Sequence, residues 1–124
     1  MDRERFKRLV TKAVENLPGE FHNKLENVDV VVEDCPTKGQ LRRARLGSRY
    51  TLLGLYEGTP QTKRTVHYGL VTPDKITIFQ KPIEAICGDD AEITAEVERV
   101  VRHEIAHHFG IGEARLRQIE RRRD

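Results

Sequence analysis

The residues with the clearest chemical meaning are His103, Glu104 and His107, which form the spacing H-E-x-x-H. On an α-helix, residues four apart project from one face, so the two imidazoles would lie roughly 6 Å apart. That separation suits two ligands of one small metal ion. Glu104 is turned only about 60° from His107, so its carboxylate could reach a metal-bound water without ligating the metal. The pattern indicates a zinc site with a general base.

A glycine and an acidic residue follow this motif at Gly110 and Glu113. Gly110 can adopt the left-handed conformation that ends a helix and turns the chain back. We expect this turn to bring the Glu113 carboxylate to the metal as the third ligand, leaving the fourth tetrahedral position for water. Only residues 108–124 follow the second histidine. Glu113 and Glu120 are therefore the candidate glutamate ligands, and Glu113 is the better of the two.

Two imidazoles, one carboxylate and a water form a catalytic zinc site rather than a structural one, which is usually closed by four Cys and His ligands. Zinc would acidify the water, Glu104 would take its proton, and the hydroxide would attack a polarised carbonyl. The chemistry indicated is peptide or amide hydrolysis. A metzincin would need a third histidine at position 113 and a methionine turn, but the only methionine is Met1.

A long helix is predicted to carry the site, beginning after Asp89 and Asp90 and ending near Phe109. Its apolar residues form one stripe, which Glu104 continues; they are Ile93, Val97, Val100 and Val101. His103 and His107 flank this stripe. A carboxylate and an imidazole pair on the inward side would be costly to desolvate without a compensating cation, water or hydrogen bond.

The preceding chain predicts one more amphipathic helix and three strands. Apolar residues recur at helical spacing from Phe6 to Leu17, and residues 20–26 could hold another helical turn. β-Branched or alternating runs predict strands at residues 28–32, 51–57 and 75–81, the last closed by Pro82. Residues 114–124 predict a short terminal helix. The fold class expected is therefore α+β.

Length and composition indicate one soluble globular domain spanning residues 1–124, with 37% hydrophobic and 34% charged residues. The charged amino terminus lacks the apolar core of a signal peptide, and no run reaches membrane-spanning length. We expect a cytoplasmic monomer without membrane contact. Cys35 and Cys87 lie in no C-x-x-C pair, so two free thiols are expected, with a disulfide or a thiolate ligand as the less common alternatives.

Basic residues are concentrated between Asp34 and Glu57, at Lys38, Arg42, Arg43, Arg45 and Arg49. With Gly39, Gly47 and Ser48, they predict a surface loop over residues 36–50. A net charge of +2 does not by itself indicate nucleic-acid binding. A solvated loop is the commoner explanation of such a cluster, and we expect no nucleic-acid partner.

The stretch His-Glu-Ile-Ala-His-His-Phe-Gly-Ile at residues 103–111, followed by Glu113, resembles the motif of the small bacterial zincin-like metallopeptidase family. The similarity extends to Leu-Leu-Gly-Leu-Tyr-Glu-Gly at residues 52–58 and to Pro-Asp-Lys-Ile at residues 73–76. It implies a minimal zincin with three to four strands in a small mixed sheet beside the active-site helix. It further implies one Zn²⁺ ion and a peptide or protein substrate. The family usually has Asp where this chain has Glu113.

Several side chains could assist the site or serve other functions. His67 and Tyr68 could reach the cleft and stabilise an oxyanion, although surface positions are commoner. Arg115 could pair with Glu113, and His108 is expected to pack locally rather than to ligate. The rival functions are a zinc-binding module without turnover and a metal-dependent nucleic-acid-processing protein that uses the basic loop at residues 38–49. Steep salt dependence of binding would favour the latter.

Overall fold

The computed structural model describes residues 1–44, 52–58 and 73–122. The helices and strands of this part are, in chain order, α1 (Arg3–Glu15), α2 (Gly19–Lys24), β1 (Val28–Glu33), α3 (Lys38–Arg43), β2 (Gly54–Glu57), β3 (Asp74–Phe79), α4 (Gln80–Ile86), α5 (Asp90–Phe109) and α6 (Glu113–Arg122). These elements confirm the predicted α+β class. None of the helices in the described ranges is long and apolar enough to span a membrane.

The three described strands form one mixed sheet with β3 in the middle, in the order β1-β3-β2. β1 runs parallel to β3, and β2 runs antiparallel to it. In this register both Val30 and Tyr56 lie opposite Ile76. Because side chains of directly opposed residues lie on the same face, these three residues form one row across the sheet.

The hydrophobic core lies between this face of the sheet and the two longest helices, α1 and α5. α1 contributes the apolar stripe predicted from its helical spacing, including Phe6 and Ala13, both fully buried. α5 contributes Val97 and Val101, which are also fully buried. Removing this apolar area from water is what fixes α5, and with it the motif, against the sheet.

Both ends of α5 lie where the sequence predicts them. The Asp89 side chain accepts a hydrogen bond from the Glu92 backbone N–H at 2.8 Å, which caps the amino terminus. Gly110 has a φ of 70°, and the Ile111 N–H donates to the Ala106 carbonyl at 2.8 Å. This bonding pattern is a Schellman motif, and it starts α6 three residues after Gly110.

Two helices correct the sequence predictions. Residues 38–43, predicted as part of a surface loop, form α3, because Thr37 and Gln40 make a capping box in which each side chain bonds the other's backbone N–H. The predicted strand at residues 75–81 ends at Phe79, and α4 begins at once. Pro82 is the third residue of α4, where a missing N–H costs no helical hydrogen bond.

The second predicted strand is shorter than expected. β2 covers Gly54–Glu57, whereas Leu52 and Leu53 precede it without strand structure and position 51 lies outside the described residues. Both cysteines are free thiols, with Cys35 exposed and Cys87 half-buried.

Candidate metal centre

The two motif histidines lie one turn apart on α5, as the spacing predicts. The ring centroids of His103 and His107 are 6.5 Å apart, and the ring planes are inclined by 84°. His103 is half-buried and His107 is exposed. The pair therefore lies at the outer border of the buried face rather than on the inward side that the angular count suggested.

Glu104 lies between the histidines in sequence and is half-buried, like His103. Its Oε1 accepts a hydrogen bond from the Tyr56 backbone N–H of β2 at 2.9 Å. Burial raises the pKa of the Glu104 carboxyl above its ordinary value, while the Tyr56 N–H and the charge of His107 act in the opposite direction. The half-buried Glu104 carboxylate is thus held by a hydrogen bond from the protein backbone, and this contact does not require a metal ion.

The sheet register explains why the Tyr56 N–H is available to the helix. The Phe79 N–H donates to the Leu53 carbonyl at 3.0 Å, and hydrogen-bonded positions recur at every second residue of an antiparallel pair. The backbone groups of Leu55 therefore form hydrogen bonds with β3, whereas the Tyr56 N–H points away from β3. Glu104 accepts this outward-pointing donor.

Gly54 allows β2 to approach α5 this closely. A Cβ at position 54 would lie 2.5 Å from Val100 Cγ1, 3.1 Å from the Thr77 carbonyl oxygen and 3.4 Å from Ile78 Cδ1. The first distance is well inside van der Waals contact. Any larger residue would push the strand off the helix and move the donor of Glu104.

The Tyr56 side chain binds β2 to the same end of α5, a contact that the sequence did not predict. Its ring stacks on His108 with centroids 3.8 Å apart and planes inclined by 14°. Its hydroxyl donates to Asp74 Oδ2 at 2.7 Å. His108 therefore packs locally, as expected. The signal in the sequence was an aromatic residue two positions after the strand glycine, on the same face.

The residue predicted as the third ligand lies at the start of α6. Glu113 is the first residue of this helix, but its side chain lies outside the described part of the structure. Its assignment as a ligand therefore stays a prediction. Among the side chains that are described, no group of three His, Cys, Asp or Glu residues could hold a metal ion.

α6 packs on α5 and α2 through apolar and charged contacts. Leu116 and Ile119 are buried in the core. Arg102 Nε lies 3.6 Å from Glu120 Oε1, so Glu120, the alternative ligand, forms an ion pair with α5. Arg115, suggested as a partner of Glu113, donates to both carboxylate oxygens of Glu20 in α2 at 3.1 Å.

The remaining predicted residues are placed only in part. His67 and Tyr68 lie outside the described residues, as do positions 45–49 of the basic segment. In α3, Arg43 forms an ion pair with Glu57 of β2 at 3.0 Å. At least one cation of the basic segment is therefore paired within the protein, with its side chain still 62% exposed.

Comparisons with known proteins agree with this architecture. The model of the zincin-like metallopeptidase family matches residues 25–123. A conserved hypothetical protein from Thermus thermophilus has a similar fold, with a TM-score of 0.54 and 24% identity over 88% of this chain and 94% of that one. None of the curated proteins matches the chain.

Proposed function

We propose that this chain, which belongs to the zincin-like metallopeptidase family, is a zinc-dependent peptidase that uses Glu104 as its general base. The observation that carries the proposal is the hydrogen bond from the Tyr56 N–H to Glu104 Oε1 at 2.9 Å. It holds a half-buried carboxylate beside two imidazoles, one helical turn apart on the same element. A carboxylate so placed is costly for folding and useful for proton transfer.

The donor set fits zinc in its chemistry. His103 and His107 offer imidazole nitrogens from successive turns of one helix, and Glu113 is the predicted carboxylate ligand on the next helix. When bound, zinc would supply a Lewis acid that polarises the scissile carbonyl and acidifies a water molecule. The three protein ligands proposed here would leave one coordination position for that chemistry.

Glu104 is proposed to accept the proton of the attacking water and pass it to the leaving amine. Its two oxygens would have different roles, because Oε1 is engaged by Tyr56. The other oxygen, Oε2, would carry the proton. Burial raises the pKa of this carboxyl, and an acid whose pKa lies nearer to the working pH transfers protons more effectively in both directions.

Substitution of Glu104 by Gln separates binding from turnover. The amide oxygen of the substituted side chain could still accept from the Tyr56 N–H, but the amide could no longer take a proton. We expect the Glu104→Gln protein to retain one zinc ion per chain and to lose at least about 100-fold in cleavage rate. Cleavage of a peptide library by zinc-loaded wild type and variant measures the activity and the sequence preference together.

Glu96→Gln is the matched control, because it makes the same chemical change on the same helix at a residue paired with Arg99. We expect it to cleave like wild type. A zinc-loaded wild type that cleaves no peptide would leave the zinc-binding module without turnover as the function. Equal cleavage by the wild type and Glu104→Gln would remove Glu104 as the base.

A further inference from the structure

A partly buried ion triad links the histidine-bearing helix to the helix that begins with Glu113. Arg102, which directly precedes His103, donates from Nη1 to Glu98 Oε1 at 3.1 Å, one turn earlier on α5. Its Nε lies 3.6 Å from Glu120 Oε1 on α6. We call Glu98, Arg102 and Glu120 the α5–α6 triad. It joins two carboxylates to one guanidinium across the packed helices.

Two members of the triad are buried to an extent that is unusual for charged groups. The side chains of Arg102 and Glu98 are 12% and 7% exposed, and that of Glu120 is 35% exposed. Within the described residues, Arg102 Nε has no hydrogen-bond acceptor and relies on this longer ionic contact. A buried ion pair gains little stability over apolar residues of the same volume, so the role of the triad is better sought in the orientation that it imposes on the two helices.

The helix that the triad would orient, α6, is short. α6 has 10 residues and buries Leu116 and Ile119 in the core. A helix of this length is marginal on its own, and two apolar contacts specify its buried face better than its position along α5. A charged contact near its carboxyl-terminal end adds a second fixed point. Because a helix is rigid over this length, fixing its buried face and Glu120 also fixes the backbone position of its first residue, Glu113.

We propose that the α5–α6 triad is a positioning device that sets zinc affinity by fixing where Glu113 stands relative to His103 and His107. This inference rests on the proposed function and on the predicted role of Glu113 as a ligand. Arg102, Glu98 and Glu120 do not ligate the metal and do not touch the substrate. Their effect on the site passes through the position of α6.

The test is zinc affinity, measured by competition with a chromophoric chelator, in the full chain. Glu120→Gln keeps the side-chain shape and removes the charge that faces Arg102. We expect it to weaken zinc binding by about 10-fold, as loss of a group that orients a ligand typically does. Glu4→Gln is the matched control, because it removes the same charge from an exposed pair with Lys7 on α1.

The decisive measurement repeats Glu120→Gln in a Glu113→Ala background. If the triad acts through Glu113, the second substitution should change zinc affinity little once Glu113 is absent. An equal loss in both backgrounds would assign the effect to direct ligation by Glu120, to the histidines or to general folding, and would overturn the proposal. So would a Glu120→Gln protein that binds zinc as tightly as Glu4→Gln.

A second variant, Arg102→Lys, provides an independent test in case Glu120→Gln does not fold. Arg102→Lys keeps the charge but loses the planar group that can face two carboxylates, so it should weaken zinc binding only while Glu113 is present. A wild type that binds no zinc would refute the proposed function itself. A wild type that binds zinc, with triad variants that bind equally well, would refute only this inference.

Discussion

β2 and α6 flank the same end of α5, and they are attached to it in different ways. β2 makes short contacts, with a 2.9 Å hydrogen bond from Tyr56 to Glu104 and a 3.8 Å stack on His108. α6 relies on buried apolar side chains and on a 3.6 Å ionic contact between Arg102 and Glu120. The proposed base is therefore held directly by its neighbour, whereas the predicted third ligand is held at a distance.

The two sides of the site should therefore respond differently to substitution. Disturbing β2 should affect folding and Glu104 together, because the same backbone forms the sheet and donates to the carboxylate. Disturbing α6 should affect zinc affinity more than folding, because α6 takes no part in the sheet, whereas β2 pairs with β3 and packs against α5. Substitutions on the β2 side, at the turn into α6 and at Glu104 test this separation.

The largest effect is expected for Gly54→Val. The added side chain would meet Val100 Cγ1 and the Thr77 carbonyl, so β2 must move away from α5. Overpacking of this kind typically costs about 1–3 kcal/mol, and here it would also remove the donor of Glu104. Urea denaturation should show the lost stability, and peptide cleavage should fall with it.

Gly19→Ala is the control for Gly54→Val, since a Cβ at position 19 meets nothing within 4 Å. Gly19 is the first residue of α2, where Ala is compatible with the helix. Stability should be unchanged or slightly higher. A Gly54→Val protein as stable as Gly19→Ala would show that β2 does not need its close approach to α5.

A smaller effect is expected for Gly110→Ala at the turn into α6. Gly110 has a φ of 70°, a left-handed conformation that costs a residue with a Cβ about 1 kcal/mol, although no atom lies within 4 Å of that Cβ. The strain acts where α6 begins. Zinc affinity should therefore fall as well as stability, in contrast to a substitution that only lowers stability.

Gly110→Asn sharpens the comparison, because Asn tolerates the left-handed conformation better than Ala does. Isothermal titration with zinc and thermal unfolding should rank the proteins as wild type, Gly110→Asn and Gly110→Ala. If both variants bind zinc like wild type, the turn does not control the position of the third ligand.

Regular patterns in the sequence predict most of the fold. The apolar stripe of α1, the capped long helix α5 and the sheet strands are predictable because burial and helical spacing leave a periodic signal. Two helices escape prediction for local reasons. The capping box of Thr37 and Gln40 is present in the sequence but is outweighed by the glycine and the basic residues around it. Pro82 indicates a strand end, although a helix tolerates proline equally well in its first turn.

The candidate site was predictable only where its residues are neighbours in sequence. His103, Glu104 and His107 are linked by helical spacing, whereas the contact of Glu104 with Tyr56 spans 48 positions. No pattern along the chain reports which strand N–H faces outward until the register with β3 is known. The same holds for Arg102 and Glu120, which periodicity describes as separate helix positions rather than as a pair.

The smallest expected effect concerns Glu104 in metal-free protein. Burial raises its pKa in the folded state, so the ionised carboxylate destabilises the fold relative to the protonated form. The stability that the protonated form provides is fully present below the ordinary pKa and is lost as the pH rises through the folded value. Glu104→Gln should therefore melt at a higher temperature than wild type at about pH 8, and the difference should vanish near about pH 4.

Chelator-treated protein is needed for this measurement, because zinc bound to the native state would stabilise it by mass action. Glu96→Gln serves again as the control, and it should gain no stability at about pH 8, since it gives up an ion pair with Arg99. A higher melting temperature in Glu104→Gln alone would mean that holding the Glu104 carboxylate against β2 lowers the stability of the fold. Equal melting temperatures for Glu104→Gln and wild type at both pH values would mean that the Tyr56 N–H fully compensates for burial, and that β2 binds Glu104 without strain.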